Sequence, residues 1–155
     1  MISASHNSFE YNGIKFFDGN GFKLPDELED KIELLINQPE AFKLPTGEHV
    51  GRRITLNQSA QEYIKFLAGT GEKLDGIKIV LDCAHGASSA VAVQVFQKLG
   101  ATVFPYYNTP DGSNINEHCG STYPDKIRQL AKPRLRRHNL TADCLLNGTT
   151  MQEQL

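Results

Sequence analysis

Residues 77–104 constrain the fold more than any other stretch of the chain. Ile77, Ile79, Val80 and Leu81 make an apolar, β-branched run of the length and character of a buried parallel strand. Asp82 and Gly86 then mark a turn. Val91, Val95 and Leu99 recur every four residues, the spacing of one face of a helix over about 88–99. Gly100 stands where a helix stops, and Thr102-Val103-Phe104 begins another strand. Strand, helix, strand is one βαβ unit, right-handed by the sterics of such crossovers. The fold class is therefore α/β.

Upstream, residues 1–9 read as a polar loop and Ile14-Lys15-Phe16-Phe17 as a short strand. Asp18-Gly19-Asn20-Gly21 is a turn signal, because DG and NG supply positive φ at low cost. Phe22-Lys23-Leu24 can return as the partner strand. Pro25 suits the first turn of a helix, with Asp26 and Glu27 at its positive end. Leu28, Ile32, Leu35 and Ile36 give that helix one apolar face, and Asn37-Gln38-Pro39 ends it. Residues 39–56 look irregular. Asn57 can cap a second helix whose face carries Ala60, Ile64, Leu67 and Ala68. Gly69-Thr70-Gly71 stops it, and the domain boundary is expected there, with residues 1–70 in one domain and 71–131 in the next. Residues 108–124, rich in Asn, Gly, Pro and Ser, read as a surface loop.

Composition narrows the function classes. The chain has 155 residues, of which 39% are hydrophobic and 22% charged, an ordinary globular mixture able to bury a core. A formal net charge of -2 argues against a nucleic-acid footprint over the whole chain and suits a small anionic ligand gripped locally. No apolar run approaches the length of a membrane span. The N-terminus lacks the basic and apolar segments of a secretory signal, so a cytoplasmic location is expected. Cys83, Cys119 and Cys144 are scattered without CxxC spacing and read as reduced thiols.

The chemistry concentrates near the N-terminus. Ile2-Ser3-Ala4-Ser5-His6-Asn7 is followed by Asn12-Gly13-Ile14-Lys15. Taken singly, Ser5 is a turn serine, His6 a solvated loop histidine and Lys15 a lysine on a strand edge. Together, a hydroxyl, an imidazole, an amide and an amine form a set suited to moving a phosphoryl group. The runs ISASHN, NGIKFF and GFKLPDELE resemble the phosphoserine loop of the α-D-phosphohexomutases, in the form carried by their amino-sugar branch. GIKIVLDCAHGASSAVAVQVFQKLGATV and PDGSNINEHCGSTYPD are similar to the start of the second domain of the same enzymes. These stretches cover most of residues 1–131.

The resemblance implies parts of two phosphohexomutase-type mixed α/β domains with incomplete sheets. It implies that Ser5 carries a phosphate, which passes to one oxygen of a sugar phosphate and gives a bisphosphate whose other phosphate returns to the serine. The implied reaction interconverts glucosamine 6-phosphate and glucosamine 1-phosphate, so the partner is a phosphorylated hexosamine. Lys15 is the implied general acid/base, and cations or desolvation near it would help it release its proton. His6 contacts the phosphate or orients the loop, Asn7 shapes the loop, and Ser3 is a weaker candidate than Ser5. Ser8 stands where the family usually has proline, which would stiffen the loop. A phosphoserine carries about -1.5 to -2 charge, and the family sets Mg²⁺ between it and three aspartates of an acidic loop. Ser5 offers the phosphate ligand, but the triad has no counterpart here. Asp82 and Asp111 are not substitutes by motif, and Asp82 suits a turn or capping role. The sugar-binding and phosphate-binding loops of later domains also lack counterparts. The chain therefore reads as a fragment with little or no turnover of its own.

Residues 132–155 depart from the pattern. Asp143 and Glu153 are their only acids, and Arg134, Arg136 and Arg137 cluster with Lys132. The break fits a change of reading frame near Ala131–Lys132, or a disordered segment. Sheets that lack strands leave open edges, which favour marginal stability and self-association. Three other readings stay open. One is a sister mutase acting on glucose or mannose phosphates. Another is a non-catalytic fragment that binds a partner. The third is a nucleotide-binding turn at Asp82-Cys83-Ala84-His85-Gly86-Ala87, although it lacks the GxGxxG and GxxxxGK[ST] patterns.

Overall fold

The computed structural model describes residues 1–38, 40, 43–135 and 145–147. They group into two units: Met1–Ser3 with Ile14–Leu56, and Ala4–Gly13 with the residues from Asn57 onward.

β1 (Ile2–Ser3) of the first unit pairs with β2 (Gly13–Ile14), of which Ile14 belongs to the same unit. The pairing extends through Lys15, whose N–H donates to the Met1 carbonyl at 2.8 Å and whose carbonyl accepts the N-terminal ammonium at 2.7 Å. The hairpin expected between residues 14–17 and 22–24 shrinks to a single antiparallel bridge, Phe17 to Lys23. Asp18 organises the turn that replaces it. Its carboxylate accepts the Phe22 N–H at 3.0 Å and the Asn20 N–H at 2.8 Å, which hold its pKa below the usual range. Gly21 takes φ 86°, the positive value that the NG signal anticipates. Helix α1 (Asp26–Ile36) starts after Pro25, as the sequence requires. Lys23 Nζ meets Asp26 and Glu29 at 2.8 Å each, which raises its pKa. The apolar stripe of α1 is only partly covered: Ile32 is half-buried, while Leu28, Leu35 and Ile36 are exposed.

In the second unit, α2 (Ser59–Thr70) begins after Gln58 rather than at an Asn57 cap and buries Ile64. It lies against α3 (Ala92–Lys98), with Gln61 Nε2 donating to Gln94 Oε1 at 3.3 Å. By packing, α2 therefore groups with the later residues, although the sequence boundary follows it. Strand β3 (Lys78–Asp82) is the centre of a parallel three-stranded sheet, between β4 (Thr102–Tyr106) and β5 (Leu145–Asn147). Val80 is in register with Phe104 on one side and Leu145 on the other. Period-two alternation sends Ile79 and Leu81 to one face, where they pack with Ala92, Val93 and Phe96 of α3. Val80 faces the other way, onto Ile127 and Ala131 of α4 (Pro124–Leu135). Helices on both faces explain why the centre of β3, Ile79-Val80-Leu81, is apolar without alternation. Each of its large apolar side chains contributes about 1.5–3 kcal/mol by burial.

Helix α3 is shorter than the 88–99 span that the periodicity suggests. Ala84 and His85 take left-handed φ of 51° and 49°, and a 3-10 turn occupies Ala87–Ala90, so regular helix starts only at Ala92. Helix α4 continues past Ala131 through Pro133, and Leu145–Asn147 joins the sheet. Arg134 of the basic cluster lies over the Phe104 ring at 5.4 Å, and its Nε donates to the Tyr106 hydroxyl at 3.3 Å. Arg136, Arg137 and Cys144 fall outside the described residues.

Cys83 and Cys119 are fully buried and unpaired by disulfide. Burial first, and the Asp82 carboxylate second, push the Cys83 thiol up to about 11 and the Cys119 thiol to about 12. Unfolded thiols ionise near pH 9. From there upward the unfolded chain has shed protons that the folded chain still holds, so stability falls with rising pH. The contribution is whole below about pH 9 and is lost as pH passes through about 11 to 12. The urea midpoint is expected to drop across that window, and the double variant Cys83→Ala, Cys119→Ala should flatten the drop. An equal drop in both proteins would contradict the assignment.

Candidate active site

Ser5 sits in a turn with a backbone unusual for a residue that carries a side chain. Its φ is 54°, a left-handed conformation that costs of order 1–3 kcal/mol unless surrounding contacts over-determine it. The Asn7 N–H closes the turn onto the Ala4 carbonyl at 3.0 Å. Ala4 is buried, Ser5 half-buried, and His6 and Asn7 exposed. The holding contact comes from far along the chain. Asn116 Nδ2 donates to the Ser5 carbonyl at 2.9 Å and to the Asn7 carbonyl at 2.7 Å.

Asn116 is itself anchored. It is 8% exposed, its φ is 58°, and its N–H donates to the Ala84 carbonyl at 2.9 Å. The Ala84 N–H donates to Asp82 Oδ1 at 2.8 Å, and the Gly120 N–H to Asp82 Oδ2 at 2.9 Å. Asp82, the last residue of β3, is wholly buried. A continuous set of hydrogen bonds thus runs from the C-terminal end of the central strand to the Ser5 turn. Gly120 (φ 76°) lets the two loops approach: a Cβ there would lie 3.0 Å from Ala84 Cβ and 3.2 Å from Asn116 Oδ1. Residues 108–124 are therefore more than the surface loop that composition suggests, because Asn116, Cys119 and Gly120 are buried. Asp111 shapes their outer part, accepting from the Ser113 and Asn114 N–H groups at 2.8 and 3.0 Å.

The other candidates are distributed as follows. Ser5 Oγ and His6 Nδ1 are 3.4 Å apart, the outer edge of hydrogen-bond range. Lys15 is exposed and belongs to the first unit, whereas Ser5 and His6 belong to the second. Ser3 ends β1. Ser8 has φ -67°, the value that a proline ring would fix, and its hydroxyl donates to Glu10 Oε2 at 2.6 Å. Ser8→Pro is accordingly expected to raise stability by about 0.4–1 kcal/mol through a restricted unfolded state. A rise in urea midpoint would show it, and a fall would mean that the Ser8 N–H or hydroxyl matters more.

A cavity of about 510 Å³ lies beside this turn, lined in part by Phe9, Asn12, His85, Pro110 and Ile115. His85 Nδ1 accepts the Thr109 N–H at 3.3 Å, which leaves the ring proton on Nε2. The turn weighed as a nucleotide module leads into a 3-10 segment, so Gly86 does not open onto an α-helix N-terminus. Among the described residues, no group of three or more His, Cys, Asp or Glu is placed to hold a metal ion. Mg²⁺ takes a near-octahedral oxygen shell, usually with one or two carboxylates, and the donors around Ser5 do not fit that shell. No helix among the described residues is long and apolar enough to cross a membrane.

A family model described as phosphoglucomutase/phosphomannomutase, alpha/beta/alpha domain I, matches residues 1–43, the stretch that holds Ser5, His6 and Lys15. The phosphoglucosamine mutase of Caldanaerobacter subterraneus subsp. tengcongensis is 54% identical over 131 residues, 84% of this chain and 29% of that protein. That of Clostridium novyi is 52% identical over 129 residues, 82% of this chain and 29% of the relative. The chain is similar to phosphohexomutases over most of its length, and its opening residues match their first domain. The phosphohexomutase fold is seen again in a crystal structure of a phosphoglucomutase/phosphomannomutase family protein from Burkholderia thailandensis, with a TM-score of 0.58 at 22% identity over 84% of this chain and 27% of that one. The chain spans 29% of the length of the phosphohexomutase relatives it matches.

Sequence reasoning singled out Ser5 but not Asn116, although Asn114-Ile115-Asn116 lies inside the PDGSNINEHCGSTYPD stretch. The available signal was an asparagine pair in a loop. Asparagine is one of the few residues with a side chain that tolerates left-handed φ.

Proposed function

We propose that this chain is the phosphoserine-bearing part of a cytoplasmic phosphoglucosamine mutase. Residues 1–70 correspond to its first domain and 71–131 to the opening of its second. Identity above 50% to proteins of that name, over more than four-fifths of the chain, carries the reading. Ser5 is the phosphate carrier. The Ser5 Oγ–P bond breaks as a P–O bond forms to a hydroxyl of the hexosamine phosphate. Lys15 accepts that hydroxyl's proton and returns one to the leaving oxygen in the reverse transfer. His6 contacts the phosphate or holds the turn. With so little covalent work required, rate depends on positioning and charge. The family's Mg²⁺ would neutralise charge on the transferring group, and its carboxylate ligands are not among the donors around Ser5.

The chain alone should turn over little, while its half-reaction can be read directly. Incubation with glucosamine 1,6-bisphosphate should phosphorylate Ser5 faster than incubation with glucose or mannose 1,6-bisphosphate. A preference for the neutral sugars would move the assignment to a sister mutase. Exposed Leu28, Leu35 and Ile36 on α1 support self-association as well. It would appear as concentration-dependent elution in size exclusion that Ser5→Ala leaves unchanged, and a monomer at all concentrations would remove it.

A further inference from the structure

We propose that Asn116 is a positioning residue for phosphoryl transfer: its side-chain amide clamps the carbonyls of Ser5 and Asn7 and so fixes the direction of Ser5 Oγ. The functional half of this inference rests on the reading of Ser5 as phosphate carrier.

Two features make asparagine the residue that the position requires. Both carbonyls converge on one nitrogen, at 2.9 and 2.7 Å. A primary amide supplies two N–H donors from a single uncharged atom, and two acceptors settle which way the amide faces. The backbone at 116 is left-handed, φ 58°, a region that asparagine enters more readily than other residues with side chains. Aspartate would satisfy the backbone but turn its oxygens toward two carbonyl oxygens. Glycine would satisfy the backbone and supply no clamp. The clamp starts on the carbonyl of the strained Ser5 and holds the turn on both sides of His6, while Asp82 and Ala84 hold Asn116 from the sheet. Ser5 thereby takes its geometry from β3 rather than from its own short loop. Phosphoryl transfer asks for a rigidly aimed oxygen, and loss of aim lowers rate more than binding.

Asn116→Gly removes the clamp and keeps the backbone. Asn116→Asp keeps shape and φ and reverses the donors. In both, the Asn7 amide, which closes the turn, should exchange its hydrogen about tenfold faster or more, the scale of losing two net hydrogen bonds. Amides of β3 and β4 should keep their protection. Phosphate uptake at Ser5 from glucosamine 1,6-bisphosphate should slow by a similar factor, with the half-saturating concentration little changed. Unchanged Asn7 exchange in a protected core, or faster exchange with unchanged uptake, would overturn the inference. The unsubstituted chain gives a check independent of variant folding. The Asn116 side-chain NH₂ protons should be shielded from exchange, and exchange at the free-amide rate would end the argument. If the unsubstituted chain takes up no phosphate at all, the reading of Ser5 fails, and the clamp is judged by exchange alone.

Discussion

Asp82→Ala should cost the second unit about 2–6 kcal/mol, since each of two buried donors left without a partner costs about 1–3 kcal/mol. Asp82 is wholly buried and accepts two backbone N–H groups, from Ala84 and Gly120, at 2.8 and 2.9 Å. Alanine would strand both donors inside the protein. A loss of that size is a large part of the roughly 5–15 kcal/mol that holds an ordinary domain together. Asp82→Asn keeps one acceptor and should lose less. Urea denaturation followed by circular dichroism reads both. The alanine midpoint should fall far below that of the asparagine variant, and midpoints indistinguishable from the unsubstituted chain would contradict the role. The effect should also reach the Ser5 turn, because Ala84 connects Asp82 to Asn116.

The βαβ unit was legible because its signals are local and strong. A continuous apolar strand needs cover on both faces, and the structure supplies α3 and α4. Helix α1 was legible from Pro25, the acids behind it and the four-residue spacing. What escaped was conformation set by polar side chains reaching across the chain. Ala84 and His85 enter the left-handed region without glycine, which shortened α3 beyond what periodicity could foresee. The 14–17 strand gave way to the Asp18 turn, a competition between a side-chain carboxylate and a hairpin ladder. At the candidate site, Ser5 and His6 stood out by residue type and order. Asn116 did not, because its role depends on a contact between residues 111 positions apart, and no spacing rule reports such a contact.

Ser5→Ala should abolish phosphate uptake altogether, the largest functional effect expected of any single change, because in the proposed reaction the phosphate is carried on the Ser5 hydroxyl. Ser3→Ala should leave uptake intact. Ser3 lies in β1, outside the turn that Asn116 grips. The Ser5 hydroxyl is near a weak partner in His6 at 3.4 Å, so His6→Ala should slow uptake without stopping it. The most direct measurement is phosphopeptide mapping of the chain after incubation with glucosamine 1,6-bisphosphate and Mg²⁺. The account predicts one phosphate, on Ser5, absent from Ser5→Ala and retained in Ser3→Ala. Phosphate on Ser3 instead, or none on the unsubstituted chain under conditions where the folded core is intact, would contradict it.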